Sequence, residues 1–387
     1  MVNSALRVVE GSPFYREEVE LWSEESPEVS HSLHGLISYP ESFNAELPGY
    51  FIRKYTKRGQ VVLDPFSGSG ATALEAAMQG RVAFASDISP LAQLITAVKL
   101  SPADITEVTL RLQRINFRRP INLDLYRARF APFYDVDTFR EICNLRAFLS
   151  EQSDRVSSFI SAVAISLLHG HSAGYFSVYS FPQISLTSEE QEVVNLKRRQ
   201  VADYRAIVPR ILRKTASVLR DGWPSTVRAL DKSHRTSVCD ARNLDYVPTA
   251  SVDLMVTAPI VPGAKDFTSE LWLRYWFAHV SVPQIPDYSS TSDLAGWREF
   301  MNEMLLEAAR VVRSGGRCVL DLHELRTRTG TILLEEEVVD LVEQHLARYW
   351  GVECVLINTP KFAKLKNCLK ERDTFKVTNR LLVLRRK

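Results

Sequence analysis

The residues whose types and spacing could do chemistry stand first at 64–72 and 87. Asp64-Pro65-Phe66-Ser67-Gly68-Ser69-Gly70-Ala71-Thr72 follows a β-branched run, Val61-Val62-Leu63, and leads into the helix formers Ala73-Leu74-Glu75-Ala76-Ala77-Met78. Glycines at 68 and 70 let a ligand approach the backbone closely, and the start of the following helix favours polar or anionic groups. Gly80 closes that helix, and a second short strand, Val82-Ala83-Phe84-Ala85, ends in Ser86-Asp87. An acid at that point can accept hydrogen bonds from both hydroxyls of a ribose. Ala73 replaces the third glycine of a dinucleotide fingerprint, and no Gly-Lys-Ser/Thr follows for a triphosphate. On its own, a glycine turn is also what any tight βα corner needs.

Strand, glycine turn, helix and acid-ended strand make one βαβ unit of a doubly wound α/β sheet. The rhythm returns after Asp231. Val252–Val256 reads as a buried strand opening onto Thr257-Ala258-Pro259, and Leu305–Val312 as a helix capped by Ser314-Gly315-Gly316. The strand Arg317–Leu322, a helix around Leu334–Tyr349 and strands near Val352–Asn358 and Arg380–Leu384 complete the pattern. Between them, residues 101–234 read as mostly helical with Arg-rich faces. The expected organisation is an acidic segment 1–30, a first core part 31–100, a helical insertion 101–234 between the second and fourth strands, and a second core part 235–387. The fold class is a doubly wound, Rossmann-like α/β sheet carrying that insertion.

Composition excludes several classes. With 45% hydrophobic and 24% charged residues in 387, the chain is neither disordered nor dependent on staples for its core. Its five cysteines include no Cys-x-x-Cys pair, which disfavours both a zinc site and a disulfide framework, so a reduced cytoplasmic setting is expected. His31/His34 and His169/His171 lack a clustered carboxylate or thiol, so they read as loop and core histidines and no metal site is assigned. Trp272, Tyr275 and Trp276 at helical spacing read as core. No apolar run is long enough to span a bilayer.

The full string at 64–72 resembles motif I of the S-adenosylmethionine-dependent DNA amino-methyltransferases, which act on cytosine N4 or adenine N6. Three further pieces resemble the family in order: Ser38-Tyr39-Pro40-Glu41-Ser42-Phe43, Asp87-Ile88-Ser89-Pro90 and Cys239-Asp240-Ala241-Arg242. His169-Gly170-His171-Ser172-Ala173-Gly174-Tyr175 is similar to a glycine-punctuated stretch in some members. The resemblance implies S-adenosyl-L-methionine as cofactor. It would be held by Asp64, Pro65, Phe66, Ser67, Gly68, Gly70, Thr72, Asp87, Ile88, Asp240 and Ala241, with Tyr39 and Phe43 covering it. It also implies a DNA partner, double-stranded, and the setting of a restriction or defence system.

On the acceptor side the family reads Asp, Asn or Ser, then Pro-Pro and an aromatic. Here Thr257-Ala258-Pro259-Ile260-Val261 keeps the place but replaces three of those four positions. By resemblance, Thr257, Ala258, Pro259, Asp266 and Phe267 form the catalytic loop, with the Pro259 carbonyl orienting the amine and Phe267 or Tyr39 offering a substitute stack. A lost stacking platform costs about 1–3 kcal/mol. A lost hydrogen bond costs about 0.5–1.5 kcal/mol, more if the amine is left unpaired, so up to about three decades of rate are at stake. Three readings stay open: an active DNA methyltransferase with cytosine N4 ahead of adenine N6, a pseudo-enzyme that binds cofactor and DNA, and an enzyme for RNA or a small molecule.

Net charge is only +2, but residues 195–235 are strongly basic and can meet a polyanion. Lys197, Arg198, Arg199, Arg205, Arg210, Arg213 and Lys214 are the expected phosphate contacts. A solvated helix face is the plainer reading of the same charges.

Overall fold

The structure of the protein is a computed structural model. It describes residues 16–19, 31–39, 44–181, 183–263, 269–280, 293–322, 324–327, 330–358 and 379–387. The strands are β1 Arg16–Val19, β2 Val61–Asp64, β3 Val82–Asp87, β4 Arg235–Val238, β5 Val252–Thr257, β6 Val312–Leu322, β7 Glu324–Thr327, β8 Gly330–Leu333, β9 Trp350–Asn358 and β10 Asn379–Arg386. Helices α1 Glu46–Tyr55, α2 Ala71–Met78 and α3 Pro90–Leu100 belong to the first core part. The insertion carries α4 Ile105–Leu112, α5 Val136–Ser150, α6 Arg155–Leu167, α7 Ser188–Arg198, α8 Ile207–Val218 and α9 Ser225–Arg228. Then follow α10 Trp272–Phe277, α11 Leu294–Val311 and α12 Leu334–Leu341.

Eight strands form one sheet in the order β1-β9-β10-β6-β5-β2-β3-β4, with β7 and β8 a separate hairpin. Pairings from β6 through β4 are parallel, and β10 runs antiparallel to both β6 and β9. The chain order reverses beside β2, so the β2 and β3 loops leave the same sheet edge, which is where doubly wound sheets bind ligands.

Strand alternation divides the core in two. Val62, Ala83, Leu254, Val256, Val319 and Leu356 face α1 and α2. Leu63, Phe84, Met255, Cys318 and Leu320 face α11 and α12. Burial on both faces explains why β2 and β5 read as continuous apolar runs.

Several expectations are corrected. The helix read at Leu305–Val312 begins at Leu294, and the strand after it already starts at Val312. A short edge strand, β4, follows the insertion, so the insertion lies between the second and third strands of the βα series. Helices of the insertion share one continuous core with Leu74 of α2, Leu91 and Ile95 of α3 and Trp272 of α10. Trp272 and Tyr275 are buried in that core, and Trp276 packs against it. No helix among the described residues is long and apolar enough to cross a membrane.

Candidate functional site

β2 ends at Asp64 and the chain turns sharply over 65–70 before α2. Gly68 and Gly70 both take the left-handed region, with φ of 46° and 75°. Glycine enters that region without a steric cost that other residues meet. The Gly70 N–H donates to the Ser67 carbonyl at 2.6 Å, and the Ser67 N–H donates to the Ser86 carbonyl of β3 at 2.9 Å. Behind the turn stands α3, started by a Ser89 cap with Pro90 in its first turn. Its Thr96 hydroxyl lies 3.2 Å from the Ser67 hydroxyl, and its buried Lys99 donates to the Ser69 carbonyl at 2.6 Å.

Asp87 closes the turn from the side. Its carboxylate accepts from the Gly68 N–H and the Ser89 N–H, both at 2.9 Å. Burial pushes its pKa up, opposed by these amides. The Tyr39 ring lies across the mouth of the loop, 3.9 Å from where a side chain on Gly68 would begin. Burial, then the Asp87 charge, raises the Tyr39 hydroxyl's pKa.

Asp64 is buried under the loop. It accepts from the Thr257 hydroxyl at 2.6 Å and from the Phe66 N–H at 3.1 Å, and the Thr72 hydroxyl also faces it. Burial raises its pKa to about 6, with these donors acting against the rise. Thr257 therefore ties the strand that carries the acceptor loop to the strand that carries the glycine loop. Beyond it, Ala258 is half-buried and Pro259 buried, while Ile260 and Val261 pack against the α11 side of the core. The Ile260 carbonyl accepts from the Trp297 indole at 2.7 Å. Phe43, Asp266 and Phe267 lie outside the described residues.

The third expected cofactor contact is already engaged. Both carboxylate oxygens of Asp240 accept from Arg242, at 2.8 and 3.0 Å from its guanidinium, and Arg242 also reaches Glu303 at 3.1 Å. Adenine recognition by Asp240 would require that fork to share or release an oxygen. Ala241 is buried in the core beside Phe84 and Leu244, and Ile88 is buried next to Asp87.

The basic residues of the insertion divide into two sets. Arg205 donates to Asp203 at 2.9 Å and to the Ser177 carbonyl, Arg210 to the Ala173 carbonyl at 3.1 Å, and Lys214 to the Gly35 carbonyl at 2.6 Å. Lys197, Arg198, Arg199 and Arg213 are exposed, with Arg198 stacked 3.7 Å over the Tyr179 ring. His169 is a core histidine: it contacts the Phe181 carbonyl at 2.6 Å, and burial lowers its pKa to about 3. Thr96 and Lys99 were missed in sequence, because a threonine and a lysine inside an apolar helix carry no ligand signal.

The residues present fit S-adenosylmethionine. A Cβ on Gly68 would fit in the gap between the loop and the Tyr39 ring, at an ordinary contact distance of 3.9 Å from the ring and from the Phe66 carbonyl. The Asp87 carboxylate is incompletely buried and has accepting capacity left after its two amides. Bound there, the cofactor would supply a methyl group activated on a sulfonium.

Residues 6–96, which contain this loop and Asp87, match the family model described as DNA methylase. Among curated proteins, the Type II methyltransferase M.MjaII of Methanocaldococcus jannaschii is 30% identical over 131 residues, covering 34% of this chain and 24% of that protein. The Type II methyltransferase M.BsoBI of Geobacillus stearothermophilus is 38% identical over 66 residues, covering 17% of this chain and 13% of that one. The aligned part thus spans a quarter or less of either relative's length. Among solved structures, an rRNA methylase from Streptococcus thermophilus aligns with 89% of this chain and 97% of its own at 9% identity and a TM-score of 0.33. A SAM-dependent methyltransferase from Methanosarcina mazei aligns with 90% of this chain and 98% of its own at 10% identity and a TM-score of 0.34. Likenesses that slight are no guide to substrate. Residues 6–96, the glycine loop and its acid among them, are thus the part of the chain that is similar to the DNA methylases.

Proposed function

We propose that the chain transfers a methyl group from S-adenosylmethionine to an exocyclic amino group of a DNA base, with cytosine N4 ahead of adenine N6. The observation that carries this reading is the Thr257 hydroxyl on the Asp64 carboxylate at 2.6 Å. Through it, the loop that would hold the donor and the loop that would hold the amine leave neighbouring parallel strands at one sheet edge. Bound there, S-adenosylmethionine would supply the methyl group to the amine lone pair and be left as the neutral thioether, and the extra proton on nitrogen would leave to water. Positioning does most of this work, since the methyl group arrives already activated. The preference for cytosine rests on the place of Thr257-Ala258-Pro259, where relatives that act on N4 carry serine at the middle position.

A pseudo-enzyme is the second reading, favoured by Ile260 and Val261, whose side chains join the α11 core where the family has a proline and an aromatic. A tritiated-methyl assay on mixed-sequence DNA and RNA, with the labelled nucleosides separated by chromatography, decides between the two. N4-methylcytosine is the expected product. N6-methyladenine would move the target base, and label in RNA alone would move the substrate. Cofactor uptake without label in either nucleic acid would favour the pseudo-enzyme.

The exposed basic residues of the insertion are the proposed duplex contact. Reversing the charge of Arg198, Arg199 and Arg213 together is expected to lower the slope of log affinity against log salt by about 2–3, at about 0.9 per phosphate contact. Salt-titrated DNA binding measures it, and an unchanged slope would remove this face from the interface.

A further inference from the structure

Behind the glycine loop lies a charged group that the cofactor contacts do not use. Lys99, on α3, is only 1% exposed and donates to the Ser69 carbonyl at 2.6 Å. The peptide unit joining Ser69 to Gly70 is thereby fixed at both ends. Its carbonyl is held by Lys99 and its N–H by the Ser67 carbonyl at 2.6 Å. That peptide enters the left-handed conformation of Gly70, and its rotation would alter the turn that Gly68 shares beneath the Tyr39 ring. One helical turn earlier, Thr96 meets the Ser67 hydroxyl, so α3 grips the loop twice.

An ammonium in this place is costly to bury, and its surroundings do little to neutralise it. Lys214 of α8 adds a like charge nearby, and His34 from the turn Ser32–Leu36 also faces it. Glu75 of α2, the acid of this cluster, is engaged by His34 at 2.9 Å. A lysine that merely filled the core could be replaced by an apolar side chain of the same length with no loss of packing.

We propose that Lys99 is a positioning residue for the cofactor, holding the Ser69–Gly70 peptide in the orientation that keeps the hollow over Gly68 open. This rests on the reading of that hollow as the S-adenosylmethionine site. Burial, and then the Lys214 charge, lower the Lys99 pKa to about 7. The bond to Ser69 is charge-assisted below that pH and neutral above it, and the neutral form is about half as strong.

The test uses the full chain with Lys99→Met and Lys99→Gln variants. Calorimetric S-adenosylmethionine affinity is measured at pH 6 and pH 8.5, and amide exchange at 67–71 is followed in the cofactor-free protein. Wild type is expected to bind about fivefold more tightly at pH 6, and Lys99→Met to bind about tenfold more weakly at pH 6 with that pH dependence gone. Lys99→Gln, which keeps a neutral donor, should recover part of the loss, and it carries the test if Lys99→Met does not fold. The Gly70 amide should exchange faster in Lys99→Met while the melting temperature holds or rises. Wild-type affinity and pH dependence in a folded Lys99→Met would overturn the proposal. If wild type takes up no S-adenosylmethionine, it is the cofactor reading that fails, and unchanged loop exchange would then overturn the role of Lys99 separately.

Discussion

Alanine at Gly70 should cost the protein much of its stability as well as its cofactor, whereas alanine at Gly68 should cost it the cofactor and no more stability than the backbone strain. At Gly70 the backbone stands at φ 75°, and a Cβ would lie 2.8 Å from the Thr96 hydroxyl and 3.1 Å from the Thr96 Cα. The hydroxyl could turn away, but the Cα belongs to the backbone of α3 and cannot. Left-handed strain of about 1–2 kcal/mol and overpacking of about 1–3 kcal/mol therefore add. Relief comes only by lifting the loop off α3, which breaks the Thr96 and Lys99 contacts together. At Gly68, with φ 46°, the added carbon meets nothing closer than 3.9 Å, so the fold bears only the backbone strain. On the proposed reading of this place as the cofactor site, that carbon would occupy the space the cofactor needs. Thermal unfolding and S-adenosylmethionine calorimetry on the two variants check the contrast. Gly70→Ala should lose about 2–5 kcal/mol of stability, and both variants should lose at least about a hundredfold in affinity. Equal binding by Gly68→Ala and wild type would show that the hollow is not where the cofactor sits.

Why one glycine is structural and the other is a matter of ligand space could not be read from 64–72. The loop itself was legible, because β2 and β3 are buried on both faces and so appear as apolar runs, bounded by glycines and ending in acids. β5 was legible for the same reason. β4 was not: Arg235-Thr236-Ser237-Val238 is a short, half-exposed edge strand whose polar side chains give no periodic signal. Lys99 was invisible because a lone lysine in Pro90–Leu100 reads as a solvent-facing residue, and only the tertiary packing around α3, with α2 and α6 against it, buries it. Arg205, Arg210 and Lys214 show the converse. Their charges suggested phosphate, yet their donors are turned toward main-chain carbonyls and Asp203 within the fold. A sequence tells that a cation is present; which way its side chain points depends on carbonyls supplied by segments as far as 179 residues away.

Restoring the acceptor loop with Ala258→Ser, Ile260→Pro and Val261→Tyr together should raise methyl transfer to DNA by about one to three decades while cofactor affinity stays put. Position 258 is half-buried, so a serine hydroxyl can be accommodated one residue beyond Thr257 without opening the Asp64 contact. Position 261 is also half-buried, which lets a ring turn outward rather than press into the α11 core. Proline at 260 keeps the carbonyl that Trp297 binds at 2.7 Å and biases Pro259 toward an extended backbone. The gain is the sum of a stacking platform, about 1–3 kcal/mol, and one hydrogen bond to the amine, about 0.5–1.5 kcal/mol, converted at about 1.4 kcal/mol per decade. All three positions follow β5 and lie outside both the glycine loop and Asp87 in the chain, so binding of S-adenosylmethionine serves as the internal control. A folded triple variant that binds the cofactor normally yet transfers no faster would mean that the acceptor is not a stacked base. The altered loop would then belong to an enzyme for another amine, and the wild-type substrate would have to be sought outside DNA.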